Sequence, residues 1–288
     1  MKMLAVRLGL VLILAALTTQ CGKNDLPLYQ DLGDLRLLTI VVNNPEVNPG
    51  DTVTFTPVLS DLNGNGRAIN YAVQACIDPG LAFGADPVCT NPDPTSIQTG
   101  TVLIPAGASQ TYTGPVAPFS LTMPDENTMF ANRSVMEQYN GVIYLVQYNI
   151  SIPNGPAINS FLRVFVSTPA KTQKNQNPTI TSIDINDTPV PALITMTASA
   201  SNVRAVSPPS SSETYQVMQF DGSFLTFTEE ILNTWFVSDG TLDFSRTLGS
   251  AEDLWTPPGS KPSSRGMVLF VVTRDGRGGA AFQKVEMN

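Results

Sequence analysis

The stretch LRLLTIVVNNPEVNPGDTVTFTPVLSDLNGNGRAINYAVQACI, from Leu35 to Ile77, decides the predicted fold. β-Prone runs alternate in it with turn clusters of Asn, Pro and Gly, at intervals of about ten residues. Between Thr52 and Leu59 apolar residues occupy alternate positions, which is the period of a half-buried strand. Short strands separated by turns are typical of an antiparallel β-sandwich. We therefore predict an all-β chain.

A second run of strand patterns follows the polar segment TPAKTQKNQNP, residues 168–178. Within it, Asp239-Gly240 and Asp275-Gly276 predict hairpin turns, because Asp-Gly accepts the positive φ that tight hairpins need. Polar stretches ending in proline are typical of linkers between domains. We predict a first sandwich over residues 35–168, a linker over 169–178 and a second sandwich over 179–288.

The segment PDENTMFANRSVMEQYNG, residues 124–141, breaks the β pattern. Acidic residues at its start and Asn-Gly at its end are helix boundaries, so the first sandwich is predicted to carry a short helix from about Glu126 to Tyr139. The helix is interpreted as a cap on the sandwich or as an interaction surface. The cap is favoured, because apolar residues on a short helix pack into a core more often than they form a site.

The N-terminus has the layout of an export signal over residues 1–20. Lys2 and Arg7 precede an apolar run from Leu8 to Leu17, and small polar residues follow. The run is about half of the roughly 20 residues that a membrane-spanning helix needs. We predict a signal peptide that is removed, not a permanent transmembrane helix.

The residues LTTQC, 17–21, resemble the lipobox of bacterial lipoproteins. The resemblance implies that Cys21 receives a lipid and becomes the first residue of the mature chain. Gln20 departs from the Gly, Ala or Ser usual before that cysteine, and Gly22 after it implies the outer membrane. Residues 21–34 are then a flexible tether. The expected location is the bacterial outer membrane, with the periplasmic or surface face left open.

Two cysteines remain if lipid occupies Cys21, namely Cys76 and Cys89. Export implies an oxidising compartment, in which disulfides persist. We predict a Cys76–Cys89 disulfide, which in the chain-entropy model stabilises the fold by about 3 kcal/mol. The alternative is two free thiols.

Charge and residue types exclude several functions. Loss of Lys2 and Arg7 with the signal leaves 14 basic against 24 acidic residues, a net charge of −10, which repels nucleic acid. The chain has no histidine, so Ser-His-Asp and Cys-His catalysis and imidazole zinc sites are excluded. Glu229 and Glu230 are adjacent, and adjacent strand residues face opposite sides, so they form no acid/base pair. We expect a non-catalytic protein without a cofactor.

The sequence DLNGNG, residues 61–66, matches the first half of a calcium loop. Its candidate ligands are Asp61, Asn63 and Asn65. Ala72 stands where the loop should end in a bidentate glutamate. A plain hairpin loop is therefore favoured, and bound calcium is the alternative.

The segments TWFVSDGTLDFSRT (234–247), DLWTPPG (253–259) and GMVLFVVTRDGRGG (266–279) resemble the immunoglobulin-like and PKD-like β-sandwich modules of bacterial surface proteins. The resemblance implies two tandem immunoglobulin-like sandwiches, the first matching more loosely. Trp235 suits a core anchor on a central strand. For both tryptophans a stacking platform for sugar is the alternative to the favoured core position, and more so for Trp255 beside its two prolines.

These observations predict a lipid-anchored protein of the cell envelope that acts as a structural or protein-interaction module. The alternative function is a surface adhesin or a carbohydrate-binding module. The expected partners are the membrane, through the N-terminal lipid, and an envelope protein or a glycan. No nucleic-acid partner is expected, given the negative charge.

Overall fold

A computed structural model describes residues 28–64, 66–79, 87–104, 112–153, 155, 157–195, 199–260 and 266–288. The predicted signal and Cys21 lie outside the described residues. The first half contains the strands β1 Arg36–Val42, β2 Glu46–Val47, β3 Thr52–Asp61, β4 Ala68–Ile77, β5 Gln98–Leu103, β6 Tyr112–Pro115, β7 Phe119–Thr122, β8 Val142–Ser151 and β9 Ala157–Val166. The second half contains β10 Ser182–Ile185, β11 Thr188–Pro189, β12 Leu193–Ile194, β13 Ser201–Val206, β14 Thr214–Met218, β15 Phe224–Thr228, β16 Leu232–Val237, β17 Thr241–Leu242, β18 Arg246–Leu248, β19 Asp253–Thr256, β20 Met267–Arg274 and β21 Ala280–Met287.

The first sandwich is formed by two sheets. Sheet A has the order β1-β3-β6, with β7 also paired to β3, and sheet B has the order β2-β9-β8-β4-β5. Strand β3 alternates as the sequence predicts, with Val53 and Phe55 pointing into the core. Tyr144 and Val146 of β8 point into the same core. The all-β fold class is therefore confirmed for this half.

The second sandwich is formed by sheet C, in the order β12-β21-β20-β16-β18, and sheet D, in the order β11-β10-β13-β19-β17. Its core contains Trp235, Trp255, Leu269 and Val271. Two sandwiches in tandem, the first with helical residues inserted, match the predicted architecture. Strand β20 is buried along nearly its whole length, which is unusual for a strand with only one face in a core.

Strand β20 is buried on both faces because the two sandwiches pack against each other. Leu269 and Val271 face the core of the second sandwich. The alternate residues Val268, Phe270 and Val272 point to the opposite face of sheet C. There they pack against sheet A in a third apolar cluster, which we call the apolar junction. Its buried members are Leu32, Leu38, Val58, Leu62, Phe236, Val268, Phe270 and Val272. The two sandwiches are thus stacked face to face.

Residues 28–34 also differ from the free tether that the sequence predicts. Leu32 N donates a hydrogen bond of 2.7 Å to Val237 O, and Val237 N donates one of 2.9 Å to Gln30 O. Leu32 itself is a member of the apolar junction. This part of the predicted tether is therefore packed along β16, because its leucine and its backbone groups find partners there.

The predicted linker is likewise packed against both halves. Lys171 and Asn175 are buried, and Asn177 Nδ2 donates to Val42 O of the first sandwich while its Oδ1 accepts from Ala280 N of the second. A polar segment is expected to be exposed, but these residues are not. Their polar side chains can be buried because groups of both sandwiches form hydrogen bonds with them. The predicted boundaries at residues 168 and 179 stay a prediction.

The predicted helix is divided into two. Helix α1 spans Glu126–Met129 and helix α2 spans Val135–Asn140. Asn132 between them has a positive φ of 59°, which a continuous helix does not tolerate. A new start follows at Ser134, whose side chain forms a capping box with Glu137. Among the described residues no helix is both long enough and apolar enough to cross a membrane.

Of the two hairpin turns that the sequence predicts at Asp-Gly, only one closes a hairpin. Asp275-Gly276 connects the paired strands β20 and β21, as predicted. The prediction for Asp239-Gly240 is wrong, because β16 pairs with β18 and β20 while β17 pairs with β19 in the opposite sheet. This turn passes from sheet C to sheet D. Gly240 is needed there, since its φ is 82° and a Cβ would lie 2.4 Å from the Thr256 carbonyl oxygen.

Candidate interaction surface

The disulfide is the sequence-predicted site that the structure confirms. Cys76 and Cys89 are bonded, with their Cα atoms 5.7 Å apart. Both pack on Leu145 at the outer face of sheet B. The bond therefore holds the segment around Cys89 across that face. The predicted lipidation residue, Cys21, lies outside the described part of the chain.

The interpretation of Trp255 as a sugar platform is wrong. Its side chain is 1% exposed and belongs to the core of the second sandwich. Its Nε1 donates to Asp239 O at 3.2 Å, so the indole is satisfied internally. Trp235, the predicted core anchor, is fully buried, and its Nε1 donates to Thr247 Oγ1 at 3.0 Å.

The candidate calcium loop has an internal cation instead. The Asp61 carboxylate accepts from Arg67 Nη2 at 2.7 Å and from Arg67 Nε at 2.9 Å. Asn63 Nδ2 donates to Asp34 Oδ1 at 3.0 Å, so its side chain faces a neighbouring loop. Asn65 lies outside the described residues. A bidentate guanidinium on Asp61 already compensates its charge, which favours the plain hairpin loop.

Glu229 is predicted to face the opposite side of its strand from Glu230. It lies in a cluster of buried and partly buried polar and charged side chains that we call the charged junction. The members are Glu46, Lys171, Asn175, Glu229, Asp275 and Arg277. Glu46 accepts from Lys171 Nζ at 2.6 Å and from Arg277 Nη2 at 3.1 Å. Arg277 Nη1 donates to Glu229 Oε1 at 2.9 Å. The cluster therefore joins the first sandwich, the linker and the second sandwich.

The carboxylates of the charged junction titrate differently. Burial alone would raise the pKa of Glu46, but hydrogen bonds from Lys171, Ser167 and Asn175 outweigh burial and leave it below its ordinary value. Burial raises the pKa of Glu229 and that of Asp275 above their ordinary values. Glu230 is exposed, so the two adjacent glutamates do not face one site, as expected. Each buried charge already has a partner within the protein, and the cluster is interpreted as structural.

The charged junction is covered by a two-stranded ribbon, β14 and β15, which we call the hairpin arm. The Tyr215 ring lies 4.0 Å from the Arg277 guanidinium, and a cavity of about 210 Å³ remains between the arm and Glu46. Tyr215 also stacks on Phe227 of β15, with 5.8 Å between ring centroids. The inner side of the arm is thereby fixed to the second sandwich.

The β14 edge of the hairpin arm is occupied by side chains of the first half. Asn140, at the end of α2, donates from Nδ2 to Met218 O at 2.9 Å and accepts from Met218 N at 2.8 Å. Gln173 Nε2 of the linker donates to Thr214 O at 2.8 Å. Tyr139 packs edge-on against Phe224 at 5.0 Å. This edge of the ribbon is capped and anchored.

The β15 edge is different. The bonds from Gln219 N to Ser223 O and from Glu229 N to Glu213 O define which residues face β14. By the alternation of an antiparallel ladder, the backbone groups of Phe224, Thr226 and Thr228 point away from it. In the part of the chain that the structure describes, β15 pairs with β14 alone. Its sequence, FLTFT, lacks the charge or proline that usually protects an edge strand.

Apolar side chains accompany this open edge. Phe220, in the turn of the arm, is 96% exposed, and every residue of β15 is exposed. The exposed apolar side chains of the arm are Phe220, Phe224, Leu225 and Phe227. By strand alternation Leu225 and Phe227 lie on one face of the ribbon and Phe224 on the other, so exposed apolar side chains flank the open edge on both faces. Exposed apolar groups gathered on one element of a folded protein indicate an interaction site. Sequence reasoning missed β15, although Asp221-Gly222 between two apolar runs is the hairpin signal that would have indicated it.

Comparisons with known proteins add little to this geometry. No protein-family model matches the chain, and no curated protein matches it. Among solved structures, the crystal structure of red sea bream transglutaminase is similar with 11% identity and a TM-score of 0.25, covering 88% of this chain and 31% of that one. The D0-D1 domain of intimin is similar with 14% identity and a TM-score of 0.21, covering 87% of this chain and 98% of that one. Both TM-scores are under 0.5, so neither likeness carries an argument, and this chain spans about a third of the transglutaminase.

Proposed function

We propose that this chain is a lipid-anchored, non-catalytic protein of the bacterial cell envelope that binds an extended segment of a partner protein along β15. The observation that carries the proposal is the contrast between the two edges of the hairpin arm. Asn140 and Gln173 occupy the β14 edge. The β15 edge presents the backbone groups of three residues beside exposed apolar side chains.

The chemistry of the open edge defines the partner segment. A strand added to a sheet edge is bound by main-chain hydrogen bonds, and alternate side-chain contacts give its specificity. Phe224, Leu225 and Phe227 offer apolar contacts, and β15 carries no charge. The partner segment is therefore an extended, uncharged stretch with apolar side chains. A rigid arm suits this role, because fixing the strand in advance lowers the entropy lost on binding.

Site-specific photo-cross-linking in intact cells tests this function. A photoreactive residue at Phe224 is expected to give a discrete adduct, whereas one at Phe244, an exposed aromatic between β17 and β18, gives none. Thr226→Pro is expected to abolish the adduct, because proline removes an N–H that points away from β14 and leaves the ladder bonds of the arm intact. Equal adducts from both positions, or an adduct unaffected by Thr226→Pro, would contradict strand addition.

The proposed lipid anchor at Cys21 is tested separately by Cys21→Ala. Two or more acyl chains hold a protein stably on a membrane, so the mature wild-type chain is expected in the membrane fraction after a high-salt wash. The alanine variant is expected in the soluble fraction. If the variant stays with the membranes through the wash, the lipid anchor is wrong while strand addition at β15 is unaffected.

A further inference from the structure

A groove on the outer face of sheet B lies apart from the hairpin arm. Strands β4, β8 and β9 are neighbours there, and the register places Gln74 opposite Gln147 and Gln147 opposite Phe161. One step along, Asn149 lies opposite Asn159. Because side chains of a strand alternate between its faces, all five lie on the face turned away from the core. We call this surface the amide groove.

The disulfide and Gln147 build one wall of the amide groove. Gln147 Nε2 donates to Pro87 O at 3.0 Å, and its Oε1 accepts from Cys89 N at 3.1 Å and from Gln74 Nε2 at 2.6 Å. These bonds hold Pro87 and Val88 over the sheet next to the Cys76–Cys89 disulfide. The wall is therefore fixed before any ligand arrives. The volume of this open groove is about 400 Å³, within the range of small-molecule sites.

The opposite side of the groove carries an aromatic ring. Phe161 is 47% exposed. The Arg163 guanidinium lies 5.2 Å from its ring centroid, and Arg163 Nε lies 3.3 Å from Asp78 Oδ2. This ion pair braces the ring from the side of Arg163, while Asn159 and Ser160 line the groove on the other side. The ring therefore presents an apolar surface next to amide groups.

Asn149 supplies an unused acceptor. Its Oδ1 is buried from solvent and has no hydrogen-bond partner among the described residues. Such an atom costs free energy until a donor reaches it. Asn149 lines the groove together with Gln74 and Asn159. Rotation of the Asn149 side-chain amide would bring this oxygen to a ligand hydroxyl that could donate to it.

We propose that the amide groove binds a neutral oligosaccharide. Amide side chains donate to and accept from sugar hydroxyls in the same way as they bond one another, and an exposed aromatic ring packs against the apolar C–H face of a pyranose. The side chains that line the groove carry no formal charge. An anionic or cationic ligand would lose hydration there without gaining a counter-charge.

The test uses three neutral probes, namely cellohexaose, maltohexaose and hexa-N-acetylchitohexaose, with a galacturonic acid hexamer as the anionic control. Titration calorimetry on the mature chain is expected to show saturable binding of at least one neutral probe, and no binding of the anionic control. The side-chain amide resonance of Asn149 is expected to shift on binding of that probe. Phe161→Ala is expected to weaken the affinity by about tenfold or more, which corresponds to about 1.4 kcal/mol.

Phe244→Ala is the matched control, because it removes an exposed aromatic from the second sandwich, and it is expected to leave the affinity unchanged. Phe161 is itself half exposed, so its alanine variant is expected to fold, which near-ultraviolet circular dichroism checks. If none of the three neutral probes binds saturably up to about 5 mM, a range in which even weak sugar sites are detected, the proposal is overturned. Binding that survives Phe161→Ala with unchanged affinity lies elsewhere and also overturns the assignment.

Discussion

The apolar junction and the charged junction connect the same two sandwiches by different physics. At the apolar junction, Phe270 and Val272 of sheet C meet Leu38 and Val58 of sheet A. Burial of such groups stabilises roughly in proportion to area and has little directional preference. At the charged junction, Glu46 meets Lys171 and Arg277 at hydrogen-bond distances, which only one relative position of the sandwiches allows.

The difference teaches where stability and where orientation come from. Buried ion pairs contribute little net free energy compared with apolar packing, because desolvation offsets their attraction. Removing one partner is costly, since the other charge is then left buried without compensation. We therefore expect the apolar junction to supply most of the free energy of association, and the charged junction to select one alignment of the two sheets.

The largest effect is expected from Phe270→Ala. Phe270 is fully buried and stacks on Phe282 with 5.6 Å between ring centroids. Loss of a buried phenylalanine costs about 3–5 kcal/mol of unfolding free energy. Guanidinium unfolding followed by tryptophan fluorescence measures this, since both tryptophans lie in the second sandwich. Phe244→Ala, at a side chain that is 65% exposed, is the control, expected within about 0.5 kcal/mol of wild type. Equal costs for the two variants would rule out the apolar junction.

The next effect is expected from Glu46→Gln. The variant leaves Lys171 buried without its carboxylate and removes one of the two close carboxylates of Arg277, which keeps Glu229. The expected cost is about 3 kcal/mol. Glu286→Gln is a matched control, because its bridge to Lys284 has the same length of 2.6 Å but Glu286 is 50% exposed. An exposed pair contributes about 0–1 kcal/mol. If the two variants lose the same unfolding free energy at pH 7, the charged junction does not contribute as a buried pair.

The pH dependence of the Glu46→Gln effect sharpens the comparison. The pKa of Glu46 lies below its ordinary value of 4.5 in the folded state. A depressed folded-state pKa gives stability that is present above the ordinary value and is lost as pH falls through the folded value. The difference in unfolding free energy between wild type and Glu46→Gln is thus expected to be largest near neutral pH. It is expected to shrink as the pH falls below 4.5, the ordinary pKa of a glutamate. The pKa values of Glu229 and Asp275 are raised in the folded state. Their protonation on acidification therefore increases the unfolding free energy, in contrast to that of Glu46. A difference that stays constant on acidification would exclude this account.

The smallest effect is expected from Asn140→Ala, which removes the side-chain hydrogen bonds between α2 and the hairpin arm. Two hydrogen bonds to Met218 are lost, at a cost of about 1 kcal/mol because water replaces them at a partly exposed site. Hydrogen exchange of the Met218 amide is expected to become faster, while amides of β20 stay protected. An unchanged Met218 exchange rate would show that Asn140 does not hold the arm.

Several elements were predictable because their signals are local. The alternation in β3 predicted a strand with one face in the core, and the pair Cys76 and Cys89 predicted the disulfide. The continuous apolar run of β20 also carries a signal, since a strand buried on both faces has no polar alternation. The helix prediction was correct in place and wrong in continuity, because Asn132 breaks it.

Other elements depended on neighbours that the sequence does not identify. The residues around Trp255 left both a core position and a sugar platform open, and only its neighbours in the fold show that it lies in the core. Lys171, in a segment with the composition of a linker, is buried against a glutamate 125 residues away. The amide groove requires β4, β8 and β9 to lie side by side, which local periodicity does not specify.

The sequence alone determined the all-β class, the inward and outward faces of β3 and the cysteine pairing, because these follow from periodicity and composition along short segments. Only the tertiary structure decided which outward faces become buried a second time, that Glu46 meets Arg277 across 231 residues, and that β15 keeps an open edge. The physical reason is that stacking of sheets and pairing of distant charges depend on the positions of whole layers, which no local pattern of residues encodes.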